Sequence, residues 1–598
     1  MKQKNFLLAL SLCLVLFTGC KQKSVILTDH KLSFVIEKDY LLLPIEDTAT
    51  VSYMKVLVDG EAIAPDISVR LARKNVDYWV PLSVADYKGQ KIELLFNQLG
   101  REDVGYRQID QVDEFIPLQN EKFRPLYHFA PPYGWMNDPN GMVYHNGYYH
   151  LYYQYNPYGT RWGNMHWGHA MSKDLMTWEH LPVALSPDSL GQIFSGSAII
   201  DKENTAGFGK DALIAIYTSA GKESTQSIAY SLDNGVTFSK YEGNPVLSNP
   251  NYKDFRDPKV SWHNESGQWV MVLATGHTIS FYGSKDLKSW ERLCEFGEGI
   301  GCHDGVWECP DLFPLPYDGK TKWVLLVSLN PGNPNGGSAT QYFIGDFDGK
   351  TFVPDNLPYP LWVDYGRDNY AGVTWSNAPD DRCIFVGWMS NWNCANHVPT
   401  TFFRNAMTIP RELSLCYNGK HPVLASVPVK ELEAIRGEAK SIPDISVEEK
   451  YVIDKLLENN EGTYEIEMTI VSGNAKQFGF DLVNGKGEKV TFLFEPKKEL
   501  LTIDRSTSGI VDFSNFAQFQ IKSPISKGSS YKIRLLVDRA STELFVNDGE
   551  TVQTNIVFPE EPYNTIEFNA EGAPVQVKDM RVYEVKLWEI VTCEGERR

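Results

Sequence analysis

The chain has 598 residues, a formal net charge of −19 and 42% hydrophobic residues. That length supports a substantial core and exceeds one ordinary domain, so two to four domains are expected. The acidic balance argues against nucleic acid as a partner, because phosphate binding needs a basic face.

Lys2 and Lys4 precede an apolar run from Phe6 to Phe17, which is too short to span a bilayer. Leu16-Phe17-Thr18-Gly19-Cys20 follows. Residues 1–19 therefore read as a secretory signal. The small residues ending in Cys resemble a bacterial lipobox, as in Bacteroidetes-like lipoproteins. That resemblance implies cleavage before Cys20 and a lipid on its sulfur, so the membrane is expected as a partner through a lipid anchor only. Lys21-Gln22-Lys23-Ser24 lacks the acidic residues of a surface-export tag. The reading leans to a periplasm-facing anchor in the cell envelope. Beyond Cys13 and Cys20, Cys294, Cys302, Cys309, Cys383, Cys394, Cys416 and Cys593 show no CxxC pairing of a zinc site. Their odd number leaves at least one free thiol.

Residues 20–118 predict a small β-sandwich-like domain. Val51 to Val58 alternates and ends in the turn Asp59-Gly60, and Ile67 to Leu71, Tyr78 to Val80 and Ile92 to Phe96 read as further strands. No catalytic signature falls here. Packing on the next domain and contact with a glycan are both open as its role.

Residues 121–426 hold an internal repeat. Ser172-Lys173-Asp174-Leu175-Met176-Thr177-Trp178 returns as Ser284-Lys285-Asp286-Leu287-Lys288-Ser289-Trp290. Looser copies run from Ser231 to Phe238 and from Gly345 to Phe352. Each is an Asp-centred turn followed by an aromatic residue, with short strands nearby. A recurring unit that cannot bury its face alone reads as a propeller blade. Four copies are visible, and the remaining length leaves room for a fifth. Residues 427–447 read as a polar linker containing a short helical piece, Val429 to Arg436. Residues 448–590 return to alternating strands, such as Thr463 to Ile470 and Lys532 to Val537, and predict a β-sandwich.

Three acidic loops stand out in the repeat region. Asp138 lies in Gly134-Trp135-Met136-Asn137-Asp138-Pro139-Asn140-Gly141, where Pro139 pushes the preceding residue towards an extended backbone. Asp257 lies in Phe255-Arg256-Asp257-Pro258, and Glu308 in Trp307-Glu308-Cys309-Pro310. A propeller gathers inner strand ends around its axis, so acids on three successive blades are expected to meet at one mouth. His166 and His169 lack a third ligand, and no Gly-rich phosphate loop precedes a helix, so neither metal nor cofactor is expected. Aromatic residues make up 13% of the chain, which suits flat rings packing on sugars and equally suits an all-β protein.

At these motifs, and at Phe194-Ser195-Gly196-Ser197, Val363 to Ala371, Ser390-Asn391-Trp392, Ile503 to Ser506 and Val537 to Gly549, the chain resembles glycoside hydrolase family 32, the fructan hydrolases and invertases. The resemblance covers roughly residues 121 to 585. It implies an all-β chain: a five-bladed propeller with a C-terminal β-sandwich, the small N-terminal β domain lying outside the family core. It implies Asp138 as nucleophile, Glu308 as acid/base and Asp257 as transition-state stabiliser. Asn137, Gln154, Trp162, Phe194, Ser195 and Trp392 match positions lining the fructose pocket, with Trp388 an alternative to Trp392, and Arg256 is expected to pair with the sugar hydroxyls or with the acids. The expected activity is that of a retaining, exo-acting β-fructosidase on a fructan, fructo-oligosaccharide or sucrose substrate. Endo action, fructosyl transfer and a non-catalytic fructan-binding lipoprotein are the rival readings.

Overall fold

The computed structural model describes residues 30–585, except 459, 514, 515 and 517–519. The signal segment, Cys20 and Cys593 lie outside the described residues. Among the described residues no helix is long and apolar enough to cross a membrane, and the six described cysteines are free thiols.

The N-terminal domain is two stacked sheets. His30–Val35, Lys91–Phe96, Ser52–Val58 and Glu61–Ala62 run side by side, with Ile67–Val69 also on Ser52–Val58. Tyr78–Ser83, Tyr40–Ile45 and Asp110–Val112 form the second sheet. Alternation decides the inner faces: in Ser52–Val58 the residues Met54 and Val56 are buried between exposed Tyr53 and Lys55. Three residues of the next domain, Phe402 and half-buried Tyr133 and Tyr158, pack onto this core.

Five sheets follow, each a blade of four main strands, with a fifth short strand on blades one, four and five. Their inner strands are Gly134–His145, Gln192–Asp201, Arg256–His263, Val306–Tyr317 and Tyr370–Thr374. Each packs on the next and the fifth returns to the first. Phe403–Arg404 seals the ring by pairing in parallel with Gly134–Trp135. The Asp-centred repeat is the turn between the third and fourth strands of blades one to four. In blade one Asp174 Oδ1 accepts from the Met176 and Thr177 amides at 2.9 and 2.7 Å, and the Trp178 indole donates to Leu175 O at 3.1 Å. Blade three repeats this with Asp286, Lys288, Ser289 and Trp290. Blade five turns differently, through Asn418, whose Oδ1 accepts from the Lys420 and His421 amides. With no Asp and no following aromatic, that copy is invisible as a repeat.

The expected linker at 427–447 is not one. Pro422–Pro428 is the outer strand of blade five, Lys430–Ile435 is a 3-10 turn burying Leu432 and Ile435, and Arg436–Ser441 and Ile445–Val447 pair with Val575–Val585 in the sandwich. The polarity of this stretch is that of an edge strand with most of its side chains in water. The sandwich packs a seven-stranded on a six-stranded sheet around Phe478, Phe480, Phe492, Phe494 and Tyr531.

Buried ion pairs join sandwich and propeller. Arg411 lies between Asp364, at 2.9 Å, and Glu543; Arg505 meets Asp368 at 2.6 Å. His128 spans Asp538 and Glu543, both at 2.8 Å. These charges are out of water, so each needs its partner.

Candidate active site

All five inner strands carry the same irregularity at the same height. In each, two residues face one on the neighbouring strand: Asn137 and Asp138 against Gln154, Phe194 and Ser195 against Thr218, Asp257 and Pro258 against Leu273, Cys309 and Pro310 against Val327, Ala371 and Gly372 against Gly387. A bulge of this kind turns a side chain out of the alternating pattern. The first bulge residue adopts a left-handed backbone in three blades: Asp257 (φ 65°), Cys309 (φ 44°) and Ala371 (φ 54°). Left-handed backbone is costly for residues other than glycine and clusters at functional sites. The acids do not come from three successive blades, as expected, but from blades one, three and four. Blade two intervenes with Ser195, and blade five adds Tyr370.

Asp138 is held by two donors. Ser195 Oγ donates to Oδ2 at 2.6 Å and Asn137 Nδ2 to Oδ1 at 2.9 Å, while Asn137 Oδ1 accepts from the Trp135 indole at 2.8 Å. Cys309 links two acids: its amide donates to Asp257 Oδ2 at 3.0 Å and its thiol lies 3.4 Å from Asp138 Oδ2. Arg256 grips Glu308 Oε1 with Nη2 at 2.9 Å and Nε at 3.2 Å, and donates from Nη1 to Asp254 at 2.6 Å. The Tyr370 hydroxyl donates to Glu308 Oε2. The positions just before the bulges of blades three, four and five are thus Arg256, Glu308 and Tyr370, and they form one hydrogen-bonded row.

One guanidinium serves several carboxyls. Burial pushes Asp257 up to about 7; Arg256 opposes, while Glu308 and Asp138 add to the rise. Burial also raises Asp138, against the donors Ser195 and Asn137 and with Glu308 reinforcing. Burial works against the charge on Arg256, yet Glu308, Asp257 and Asp254 raise its pKa. With Asp257 raised to about 7, the site holds a proton near neutrality.

The other expected residues fall into three groups. Asn137, Ser195 and Arg256 contact the acids directly. Phe194, Trp162 and Trp392 make ring contacts: the Trp162 ring, 43% exposed, meets Phe194, the neighbour of Ser195, edge-on at 6.1 Å, and Trp392 stacks on Trp135 at 6.0 Å. Trp388 is fully buried behind Trp392, so of the two only Trp392 reaches solvent. Gln154 is buried and spends its amide on Ile193 O at 2.9 Å, tying blade one to blade two. His169 pairs with His150 at 3.0 Å, and among the described residues no group of three possible metal ligands gathers. Sequence reasoning passed over Tyr370, Cys309 and Thr218, whose Oγ1 accepts from the Asp257 amide at 3.0 Å. Tyr370 and Cys309 lay inside the quoted motifs. The signal that assigns them is the shared bulge, which only strand pairing reveals.

Comparison with known proteins agrees with this architecture. Residues 128–428 match the model of the glycosyl hydrolases family 32 N-terminal domain, and residues 431–584 that of the glycosyl hydrolases family 32 C terminal. Residues 29–127 match a domain of unknown function, DUF4980. The chain is 48% identical over 485 residues to a levanase of Bacillus subtilis, covering 78% of this chain and 71% of the relative. It is 40% identical over 500 residues to an extracellular exo-inulinase of Aspergillus ficuum, covering 74% and 90%. Among solved structures, the exo-inulinase of Aspergillus awamori superposes with a TM-score of 0.72 at 35% identity, over 78% of this chain and 99% of that one. A fructofuranosidase of Schwanniomyces occidentalis complexed with fructose gives 0.69 at 32%, over 78% and 99%. The chain belongs to the glycosyl hydrolases of family 32.

Proposed function

We propose that this glycoside hydrolase is a retaining β-fructosidase that removes terminal fructose from fructans, fructo-oligosaccharides or sucrose. The observation that carries the reading is the cluster of Asp138, Asp257 and Glu308 bound by Arg256, Tyr370, Ser195 and Cys309. The relatives named as levanase and exo-inulinases support the substrate class and favour exo action.

In this reading Asp138 is the nucleophile. Ser195 and Asn137 aim its carboxylate and favour the ionised form against burial. Its oxygen bonds to C2 of the fructosyl unit as the C2–O bond to the leaving sugar breaks. Glu308 gives its proton to that departing oxygen. Asp257, fixed by Thr218 and the Cys309 amide, supports the sugar hydroxyls while positive charge spreads over C2 and the ring oxygen. Glu308, now a carboxylate, then takes a proton from water. The hydroxide attacks C2, and Asp138 leaves as carboxylate. Retention asks for the two carboxyls about 5–5.5 Å apart.

The test is purified protein with levan, inulin and sucrose, followed over time. Free fructose alone from the first minutes is expected. A ladder of oligosaccharides overturns exo action, and longer products at high sucrose indicate transfer. Asp138→Asn and Glu308→Gln should each remove nearly all fructose release while keeping the fold; near-normal turnover in either overturns the assignment. We propose also that Cys20 carries the lipid anchor that holds the enzyme in the cell envelope, facing the periplasm. Cys20→Ser should move the protein from the membrane to the soluble fraction and abolish fatty-acid labelling.

A further inference from the structure

The loop 157–165, between Tyr148–Asn156 and His166–Ser172, carries Trp162. It is nine residues long and includes Gly159, Gly163 and the left-handed Asn164 (φ 45°). A loop of this kind samples many conformations unless outside groups hold its backbone. The propeller supplies some of them: Asn156 Nδ2 donates to Arg161 O at 2.8 Å and the Trp162 amide donates to Asn396 Oδ1 at 3.1 Å.

The N-terminal domain supplies the rest, from three places. Asp47, just after Tyr40–Ile45, accepts from Thr160 Oγ1 through Oδ1 at 3.1 Å; its Oδ2 accepts from Arg161 Nη2 and Arg404 Nη2, both at 3.1 Å. The Tyr78 hydroxyl accepts from the Thr160 amide at 3.1 Å. Ser68 and Asn164 bond in both directions: the Ser68 amide donates to Asn164 Oδ1 at 2.8 Å, and Asn164 Nδ2 donates to Ser68 O at 2.7 Å. Trp162 lies between these anchors, with its ring exposed at the rim. A second grip is apolar. Phe402 packs on Tyr78 and Phe115, at ring separations of 6.0 and 6.2 Å, and the next two residues are the strand that seals the ring beside Trp135.

We propose that the N-terminal domain is a specificity element of the active site: through Asp47, Ser68 and Tyr78 it fixes the loop that presents Trp162 as a wall for fructan units beyond the fructosyl unit at Asp138. The inference rests on Trp162 contacting substrate. Asp47 is then a positioning residue, since it touches neither substrate nor the reacting acids. A flat indole face held in one orientation binds a sugar at lower entropic cost than one that must be ordered on binding. The domain therefore acts on affinity for the chain and leaves the bond-breaking step alone.

The test uses the full chain with Asp47→Ala, and with Tyr78→Phe as a milder change that removes one hydroxyl. Hydrogen exchange of residues 157–165 should rise in both. KM for levan or inulin should rise about 5- to 20-fold in Asp47→Ala, with kcat within about twofold and sucrose less affected. Asp47→Glu should restore most of the loss. In a Trp162→Ala background, Asp47→Ala should add nothing further, as expected of residues acting as one unit. Unchanged exchange in folded Asp47→Ala protein overturns the proposal, as does an Asp47 effect that adds in full to that of Trp162→Ala. If exchange rises but Trp162→Ala alone leaves KM for long fructans unchanged, the wall is refuted and the proposal with it. The assignment of Asp138 and Glu308 stands or falls separately, on their own variants.

Discussion

Tyr370 donates its hydroxyl to the oxygen of Glu308 that Arg256 leaves free. The contact joins blade five to blade four at the row of residues that precede the bulges. With Glu308 as the proposed acid, a donor on one of the two lone pairs of that oxygen restricts where its proton can be carried. Tyr370→Phe should therefore lower kcat about 10- to 100-fold, the range of a positioned proton-transfer partner, while leaving the fold intact. With an aryl fructoside, whose leaving oxygen needs little protonation, the deficit should shrink. An equal deficit with both substrates would mean that Tyr370 acts by packing alone.

Arg256 is the one cation described in contact with Glu308, and its fork binds both Glu308 and Asp254. Lysine keeps the charge but not the fork. Arg256→Lys should retain the fold and lose at least about 100-fold in kcat/KM, on the scale of a lost transition-state electrostatic contact. Arg256→Met should also destabilise the protein, because half-buried Glu308 and Asp254 and buried Asp257 lose their counter-charge. Urea titration with matched kinetics separates the two effects.

Asp257 gives the site a signature in stability. Its folded pKa, about 7, is above the ordinary carboxyl value of 3.8. The folded state thus binds a proton more tightly than the unfolded chain between those values. Stability is fully present below pH 3.8 and declines as pH rises through about 7. Asp257→Asn should remove that decline. Relative to wild type it should be near-equal at pH 4 and more stable at pH 8, by about 1–4 kcal/mol by linkage, while activity is lost. A pH-independent difference between the two proteins would contradict this account.

What the sequence made legible follows from how each feature is encoded. The blades one to four show because an Asp-centred turn is a local motif whose Asp must accept nearby amides. Blade five hides because Asn418 does the same work without the motif. The acids were readable because Asp138 and Asp257 stand before prolines in distinctive runs. Arg256, Glu308 and Tyr370 share a strand position, but that equivalence depends on bulges, and a bulge is defined by the partner strand. The stretch at 436–447 was misread because an edge strand with one wet face has the composition of a linker. The grip of Asp47 on Arg161 and Arg404 spans 114 and 357 residues of chain, so no local pattern marks it.

His128 supplies a second pH signature, in a different window and at the joint between propeller and sandwich. Burial opposes its charge, yet hydrogen bonds to Asp538 and Glu543 raise it from 6.5 to about 9. Asp538 and Glu543 are correspondingly held below the ordinary carboxylate range, burial being outweighed by His128 for Asp538 and by Arg411 with His128 for Glu543. A raised histidine contributes stability that is fully present below pH 6.5 and is lost as pH climbs through about 9. The span is worth about 3 kcal/mol at 1.36 kcal/mol per pKa unit. Wild type should therefore lose stability between pH 6.5 and 9 beyond the loss due to Asp257, which ends near pH 7. His128→Gln keeps a donor to one acid but cannot carry charge. It should be less stable than wild type at pH 6 and should lack the decline from pH 7 to 9. If His128→Gln instead shows the same slope over that interval, the joint does not hold a charged imidazole.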